Sequence, residues 1–174
     1  VERHVKAPDD WVVHLKDTGL DTSTGGRVKR LEPLLRGGTF MLTYGDGVGN
    51  VDIGASIEFH LQHGKMATVT AVKPPGKYGA LERSGDRVTA FTEKPRGDGG
   101  FINGGFFVLS PKCIDFIEGD HVSWESTPLT ELASRGEIMA FQHLGFWQPM
   151  DTLREKNLLE ELWASGKAPW KIWK

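Results

Sequence analysis

The chain has 174 residues, of which 39% are hydrophobic and 25% charged, which is typical of one globular domain with a sizeable core. Its formal net charge of -2 argues against nucleic-acid or membrane-surface binding, because both need a clear excess of basic residues. No apolar run approaches the roughly 18 residues that span a bilayer, and the single cysteine excludes an intrachain disulfide, which favours a reducing cytoplasm.

The first half of the chain is predicted to contain strands and a loop before and after one helix. These elements are a strand over residues 11–15, a Gly/Ser/Thr/Asp-rich loop over 17–27, and buried strands over 39–43 and 66–72. Between the last two strands, the helical spacing of Ile53, Ile57 and Leu61 predicts a helix. Gly64 follows this spacing and is suited to end the helix.

The second half is predicted to alternate between strands and helices. Its elements are a turn-rich loop over 73–79, strands over 87–91, 106–109 and 138–142, and helices over 127–135 and 152–164. Ser110 and Pro111 open a further helix, since serine is a good N-cap and proline fits the first helical position. Because some strands follow one another without a helix, we predict an α/β domain with a mixed sheet.

Asp46 stands in a glycine-flanked segment, residues 43–48 (TYGDGV), at the end of a predicted buried strand. Glycine lets a bulky ligand approach the backbone, and open α/β sheets bind ligands beyond the carboxyl ends of their strands. A carboxylate at this point is therefore well placed for a hard cation and a phosphate. Gly-Asp-Gly is also a good turn sequence, so a purely structural role for Asp46 remains open.

Asp151 stands just before the last predicted helix, in the segment GFWQPMDT. A second carboxylate brought there from far along the chain would complete a Mg²⁺ site with Asp46. Asp151 also occupies a position where a helix N-cap belongs. The two roles are compatible, because a cap lies at the positive end of a helix.

Three other segments carry residues suited to bind a sugar phosphate. Glu93 and Lys94 are either surface residues or a pair in which the carboxylate accepts from sugar hydroxyls and the ammonium meets a phosphate. Asn103 begins an Asn-Gly-Gly sequence that forms a turn or presents an amide to a ligand. The loop over residues 22–27 offers hydroxyls, backbone N–H groups and Arg27 to an anion, although it has no Walker spacing.

Histidine, cysteine and tryptophan residues elsewhere have structural interpretations. His60 and His63 share the first predicted helix, where a solvated face is favoured over a zinc site. Cys113 is expected to be a small core residue. Packing anchors are the favoured interpretation of the late tryptophans, Trp163, Trp170 and Trp173.

The order of these segments is more specific than any one of them. Together they resemble the sugar-1-phosphate nucleotidylyltransferase family, and the resemblance is carried by TGGR, TYGDGV, PPGKYGAL, EKP, INGGFF and GFWQPMDT. TGGR and GFWQPMDT are similar to the cytidylyltransferase branch. The resemblance implies a three-layer α/β sandwich with a mixed, mainly parallel central sheet, the Rossmann-like nucleotide-diphospho-sugar transferase fold. Residues 1–174 would form the carboxyl-terminal part of this single domain, with the amino-terminal strands missing.

The resemblance also implies a reaction and the residues that serve it. The reaction is Mg²⁺-dependent nucleotidyl transfer from CTP to α-D-glucose 1-phosphate, giving CDP-glucose for surface polysaccharides and releasing pyrophosphate. Asp46 and Asp151 are implied as metal ligands, and Lys94 as a catalytic cation. The implied nucleotide or phosphate contacts are Thr22, Arg27 and Gly45; the implied sugar-phosphate contacts are Gly79, Glu93, Lys94 and Asn103; and the implied walls of the sugar pocket are Trp124 and Trp147.

One family signature, the loop G-G-x-G-T-R that cradles the CTP phosphates, is not in this sequence. We therefore expect the chain alone to have little or no transferase activity. The resemblance further implies a cytoplasmic homo-oligomer, a trimer or hexamer. The main alternative is a non-catalytic module of the same fold that binds sugar phosphate or nucleotide sugar. A metal-dependent glycosyltransferase is disfavoured, because residues 45–47 are not a D-x-D motif.

Overall fold

The computed structural model describes residues 12–76, 80–84, 86–92 and 100–173. The helices are α1 (Thr24–Arg30), α2 (Glu32–Leu35), α3 (Ile53–His63), α4 (Thr127–Ser134), α5 (Leu153–Ala164) and a 3-10 helix (Pro111–Phe116). The strands are β1 (Phe40–Thr43), β2 (Gly47–Gly49), β3 (Ala67–Val72), β4 (Ala80–Ser84), β5 (Arg87–Thr92), β6 (Ile102–Leu109), β7 (Ile138–His143) and β8 (Trp147–Pro149). None of the described helices is long and apolar enough to cross a membrane.

The central sheet has the strand order β1-β6-β3-β7. Strand β3 pairs in parallel with β7, whereas β6 runs antiparallel to both β1 and β3. Three of the four strands therefore share one direction, and β6 runs against them. This confirms the predicted α/β fold with a mixed, mainly parallel sheet.

Helices cover both faces of this sheet, which gives three layers. On one face, the core is made by side chains of α1, β3, β6, the 3-10 helix and α4, including Val28, Ala67, Phe107, Leu109, Cys113, Ile114, Trp124 and Leu132. On the other face, α3 lies against β3 through Ser56 and His60, the two buried residues of this helix. Cys113 has no exposed surface, which confirms its predicted core role, and its Sγ donates to the carbonyl of Met66 at 3.2 Å.

Two helix boundaries follow the expected local chemistry. The carboxylate of Asp52 accepts from the N–H of Ala55 at the start of α3, and Gly64 ends the helix with a φ of 65°. That left-handed conformation is open to glycine because it lacks a Cβ. At the 3-10 helix, the hydroxyl of Ser110 accepts from Lys112 N–H, with Pro111 at the first position. Both predicted boundaries are confirmed.

Two antiparallel ribbons lie outside the central sheet. Strands β4 and β5 pair with each other, and β2 pairs with β8. In the second ribbon, Gly47 lies opposite Pro149 and Gly49 lies opposite Trp147. This pairing joins the segment after β1 to the segment before α5, so it brings distant parts of the chain together.

Three predictions of local structure are wrong. Residues 12–15 belong to no helix or strand, and residue 11 lies outside the described residues. The predicted loop over 17–27 gives way to α1 at Thr24. His60 does not lie on a solvated face: it is 4% exposed, and its Nδ1 lies 2.9 Å from Thr68 Oγ1. The hydrogen bond with the Thr68 hydroxyl stabilises the buried His60 ring. The periodicity of apolar residues does not reveal such a contact.

The glycines of TGGR explain why α1 forms despite weak helix propensity. A Cβ on Gly25 would lie 2.6 Å from the carbonyl oxygen of Val122, and one on Gly26 would lie 2.6 Å from Asp120 Cα. The N–H of Gly26 also donates to the Val122 carbonyl at 3.2 Å. Helix α1 is therefore held by close backbone packing against the segment before α4.

Candidate functional site

The segments that carry Asp46 and Asp151 meet at one end of the β2–β8 ribbon. The N–H of Met150 donates to the carbonyl oxygen of Asp46 at 2.8 Å, one step beyond the pairing of Gly47 with Pro149. Asp46 thus lies opposite the residue that precedes Asp151. Backbone hydrogen bonding alone therefore brings together the two segments that carry the predicted metal ligands.

Both carboxylates of this pair are exposed. Among the described residues, no hydrogen bond or ion pair involves either carboxylate group. The predicted capping role of Asp151 is wrong, because Thr152 is the N-cap of α5 and forms a capping box with Glu155. The Thr152 hydroxyl accepts from the N–H of Glu155 at 3.2 Å, while the Asp151 N–H donates to the Glu155 carboxylate at 3.0 Å. The Asp151 side chain is not used by the helix.

The chemistry of this pair fits Mg²⁺. Magnesium prefers anionic oxygen ligands and is bound in proteins by one or two carboxylates, with water and substrate phosphates in its remaining positions. Among the described residues, no group of three or more His, Cys, Asp or Glu side chains is arranged to hold a metal. The carboxylate oxygens of the two exposed aspartates are of the ligand type that such a metal prefers, and the metal assignment stays a prediction.

An open cleft of about 500 Å³ lies beside Asp46. Helix α1, the end of β1 and the segment before α4 form its walls. Its lining includes Thr24, Arg27, Leu42, Tyr44, Trp124 and Glu125. Gly45 and Asp46 complete the wall on the side of the aspartate pair. The cleft connects two of the predicted binding segments, TGGR and TYGDGV.

Arg27 supplies the positive charge in this lining. Its guanidinium donates to Thr18 Oγ1 at 2.7 Å and to the carbonyl of Leu20 at 3.2 Å, which fixes its position at the end of the 12–23 segment. Thr22, a predicted phosphate contact, is buried and lies near Gly19 and Gly26 instead of lining the cleft.

A network of hydrogen bonds joins four segments of the cleft. Asn103 Nδ2 donates to the hydroxyl of Tyr44 at 3.0 Å, and Tyr44 is hydrogen-bonded in turn to the Glu125 carboxylate. The same carboxylate accepts from Thr24 Oγ1 at 2.7 Å and from Ser123 Oγ at 2.6 Å. Asn103, a predicted sugar-phosphate contact, is thereby linked to the start of α1.

Burial and these hydrogen bonds set the protonation of the network. Burial raises the pKa of Tyr44, and its bond to Glu125 raises that pKa further. Burial by itself would raise the pKa of Glu125, but hydrogen bonds from Ser123, Tyr44 and Thr24 outweigh it and lower the pKa. At neutral pH the cleft therefore holds a protonated phenol beside an ionised carboxylate.

The two predicted tryptophan walls have different positions. Trp124 lines the base of the cleft, but it is 1% exposed and packs edge-to-face on Phe107 in the core. Its Nε1 has no hydrogen-bond partner in the described part of the chain. Trp147 is half-buried, and its Nε1 donates to the carbonyl of Gly104 at 2.9 Å, tying β8 to the INGG segment.

Three predicted site residues cannot be located in the described ranges, and two residues of the cleft were not predicted. Gly79, Glu93 and Lys94 lie outside the described residues. Tyr44 and Glu125 belong to the cleft but were not predicted as site residues. The position of Tyr44, between a predicted strand and Asp46, could have indicated that it belongs to the site. Glu125 follows a core tryptophan in no recognisable motif, so only the fold reveals it.

The chain belongs to the nucleotidyl transferase family, because the family profile described as Nucleotidyl transferase matches residues 24–147. Among curated relatives, the glucose-1-phosphate cytidylyltransferases of Salmonella typhi and Salmonella typhimurium are each 55% identical over 174 residues. That match covers 99% of this chain and 68% of each relative.

A solved structure has a similar fold. The structure of HddC from Yersinia pseudotuberculosis matches with a TM-score of 0.62 at 24% identity, covering 83% of this chain and 64% of that one. This likeness supports the α/β fold. The chain spans about two thirds of the length of the proteins it matches.

Proposed function

We propose that the chain serves nucleotidyl transfer from CTP to α-D-glucose 1-phosphate, which gives CDP-glucose and pyrophosphate. The identity of 55% to relatives named glucose-1-phosphate cytidylyltransferase supports the substrate pair. The observation that carries the proposal is the Met150–Asp46 backbone bond, which joins the two segments that carry Asp46 and Asp151, with Asp46 in the lining of the cleft. Because the chain spans 68% of those relatives, the reaction is proposed for the longer protein.

In this proposal, Asp46 and Asp151 would hold the Mg²⁺ ion. When bound, the metal neutralises charge on the reacting phosphates and lowers the barrier to attack. A phosphate oxygen of the sugar phosphate forms a bond to the α-phosphorus of CTP, and the bond from that phosphorus to the pyrophosphate oxygen breaks. No protein nucleophile is required, since such reactions depend on positioning and charge neutralisation.

The chain's own side chains position the substrates. The Arg27 guanidinium is held at the cleft by Thr18 and offsets phosphate charge. Asn103 and Tyr44 present an amide and a phenol to polar ligand groups from one linked network. Lys94, Glu93 and Gly79 remain proposed contacts of the sugar phosphate, as the family resemblance implies.

The test is binding of CDP-glucose measured by isothermal titration calorimetry, once with Mg²⁺ and once with EDTA. We expect Mg²⁺ to tighten binding by about tenfold or more, corresponding to about 1.4 kcal/mol. CDP-glucose and UDP-glucose compared under the same conditions report the choice of base. Equal affinities for CDP-glucose in Mg²⁺ and EDTA would contradict the metal assignment.

A non-catalytic nucleotide-sugar-binding module of the same fold is the second candidate. Both candidates predict Mg²⁺-dependent binding, but they differ in the native gene product. Its intact mass and its CTP- and glucose-1-phosphate-dependent release of pyrophosphate separate them. A longer product that carries the loop and releases pyrophosphate supports the transferase. A product of this length that binds without turnover supports the module.

A further inference from the structure

A closed set of three hydrogen bonds joins the residue after strand β1 to the start of strand β6. The backbone N–H of Tyr44 donates to the carbonyl oxygen of Gly105 at 3.0 Å. The N–H of Gly105 donates to Asn103 Oδ1 at 2.8 Å, and Asn103 Nδ2 donates to the hydroxyl oxygen of Tyr44 at 3.0 Å. Each of the three residues donates one bond and accepts another, so the set fixes the Asn103 and Tyr44 side chains relative to each other.

These bonds determine which way the Asn103 carboxamide faces. A backbone N–H can only donate, so the side-chain atom that meets the N–H of Gly105 must be the oxygen. The amide nitrogen then faces Tyr44, and the flipped amide is excluded because it would set two N–H groups against each other. One N–H of the carboxamide is thereby bonded to Tyr44, and the described residues accept no bond from the other. Because Asn103 is exposed, this second N–H is open to a ligand.

Tyr44 is well held and therefore suited to orient a neighbour. Gly105 has a φ of 78°, and a Cβ there would lie 2.6 Å from Tyr44 Cδ2, so the aromatic ring packs directly on the glycine. The ring also meets Phe107 edge-on, with 5.8 Å between the centroids. The hydroxyl proton of Tyr44 goes to the Glu125 carboxylate, which leaves the oxygen free to accept from Asn103.

The INGG segment, which contains Asn103, is bonded to both segments that carry the predicted metal ligands. Tyr44 stands two residues before Asp46. Gly104 accepts from Trp147 Nε1 at 2.9 Å, and Trp147 belongs to β8, the strand that precedes Asp151. The carboxamide is therefore fixed to the same framework as the proposed site.

We propose that Tyr44 is a positioning residue for substrate, which acts through Asn103 by holding the second N–H of its carboxamide as a donor to a hydroxyl oxygen of the glucosyl group. This inference rests on the proposed function, from which it takes the sugar nucleotide. A neutral amide donor suits a neutral hydroxyl, whereas Mg²⁺ and Arg27 offset the phosphate charge. Because the N–H is oriented before the ligand arrives, less is lost in ordering it on binding.

Calorimetry in Mg²⁺ with CDP-glucose and with CDP tests the inference, because only CDP-glucose carries the glucosyl hydroxyls. In Tyr44→Phe the carboxamide loses one of its two anchors. We expect CDP-glucose to bind about three- to tenfold more weakly, with the affinity for CDP unchanged. Asn103→Ala removes the donor itself and should lose at least as much, again for CDP-glucose alone. Asn157→Ala, at an exposed position on α5, is the matched control and should bind both ligands as the parent does.

The double variant separates positioning from a general structural role. If Tyr44 acts through Asn103, then Tyr44→Phe has no further effect on CDP-glucose binding in a chain that already carries Asn103→Ala. Two independent contributions would instead multiply.

The side-chain amide signals in ¹⁵N–¹H correlation spectra give a direct signature. The Asn103 pair is assigned by its absence from the spectrum of Asn103→Ala. We expect CDP-glucose, but not CDP, to shift one proton of the pair. Tyr44→Phe should shift the other proton in the free protein, since that proton is the one bonded to the tyrosine.

The inference and the proposed function fail in different ways. Tyr44 does not position Asn103 if Tyr44→Phe leaves CDP-glucose binding intact, weakens CDP binding equally, or adds its full effect to that of Asn103→Ala. In these three cases a parent chain that binds CDP-glucose in a Mg²⁺-dependent manner still supports the proposed function. A parent chain that does not bind CDP-glucose contradicts the proposed function, and the inference with it.

Discussion

The backbone N–H of Met150 donates to the carbonyl oxygen of Asp46 at 2.8 Å, and this bond extends the β2–β8 ladder by one step. This bond does not involve the side chain of either aspartate. Since main-chain atoms make the contact, both aspartate side chains stay available to a ligand. The pairing of the two segments that carry Asp46 and Asp151 exists without a metal, which would lower the cost of ordering the proposed site.

Removing the charge of either aspartate should abolish the effect of Mg²⁺ on CDP-glucose binding. In Asp46→Asn and Asp151→Asn, the side-chain shape is kept, and we expect each to weaken binding in Mg²⁺ by about tenfold or more. The double variant should be little worse than either single one, because residues that share one partner are not additive. Calorimetry in Mg²⁺ and in EDTA measures this.

Asp115→Asn is a matched control for this experiment, because Asp115 lies on the 3-10 helix and pairs with Arg36 outside the cleft. It should leave CDP-glucose binding unchanged. If both site variants bind as the parent does, these two aspartates are not the metal ligands.

Adding a methyl group to either glycine of TGGR should destabilise the fold. In Gly25→Ala and Gly26→Ala, the new Cβ would meet backbone atoms at 2.6 Å, and neither α1 nor the facing segment can yield without a shift of main chain. We expect a loss of about 1–3 kcal/mol in the free energy of unfolding for each. Urea denaturation followed by circular dichroism measures it.

Gly54→Ala is the control for the glycine variants. Gly54 lies in the first turn of α3, and its nearest neighbour, Asp52 Oδ1, lies 3.4 Å from the new Cβ. Helix propensity then dominates, and we expect a gain of about 0.5–1 kcal/mol. A neutral Gly26→Ala would show that α1 is not held by this close packing.

Acidification should weaken the packing of α3 on β3. Burial is the main cause that lowers the pKa of both His60 and His63, with the charges of His63 and Lys65, respectively, as further causes. In the unfolded chain a histidine titrates near 6.5. Below about pH 6.5 the unfolded state therefore binds more protons than the folded state, and the free energy of unfolding decreases as the pH is lowered. Above about pH 7 the stabilisation that comes from these two histidines is fully present.

Hydrogen bonds also explain why protonation of His60 and His63 is unfavourable in the folded state. Thr68 Oγ1 lies 2.9 Å from His60 Nδ1 and 2.7 Å from His63 Nε2, while Nδ1 of His63 accepts from the Lys65 N–H. A proton on that Nδ1 removes the acceptor. Urea denaturation between about pH 5 and 8 should show a slope that His60→Gln reduces. His14→Gln, at an exposed position, should leave it unchanged; equal slopes in all three chains would contradict the assignment.

Tyr44 and Glu125 should be energetically coupled. In Tyr44→Phe, Asn103 loses an acceptor and Glu125 loses a donor, and we expect about 0.5–1.5 kcal/mol less stability. Glu125→Gln weakens the same network, so the double variant should lose less than the sum of the two. Double-mutant cycles in urea measure this coupling.

Ser134→Ala provides an uncoupled control, because this hydroxyl donates to the carbonyl of Glu131 on the surface of α4. Combined with Glu125→Gln, its effect should add within about 0.5 kcal/mol. Additivity between Tyr44→Phe and Glu125→Gln as well would mean that the network does not act as a unit.

The sequence predicts elements well where local chemistry decides them. Helix α3 ends at Gly64 and α4 ends before Gly136, as expected of glycines that take positive φ. The strands β1, β3 and β7 follow from apolar runs. The aspartate pair was predicted because Asp46 and Asp151 stand in recognisable motifs, although their roles as ligands stay predictions.

What the sequence does not reveal depends on contacts between distant segments. Helix α1 contains two glycines and forms only against residues near Val122. The buried face of α3 carries Ser56 and His60, whereas Leu61 of its apolar stripe is exposed. His60 is therefore placed by Thr68 on the neighbouring strand, and no periodicity of apolar residues predicts that.

The buried thiol of Cys113 can report on transient opening of the core in this chain. Burial raises the pKa of Cys113 to about 12, so at neutral pH hardly any thiolate is present to react. A reagent such as iodoacetamide can modify the sulfur only when the residues packed around it move apart transiently. The rate of that labelling under native conditions therefore measures how often the interior opens, without a reporter residue having to be introduced into the chain.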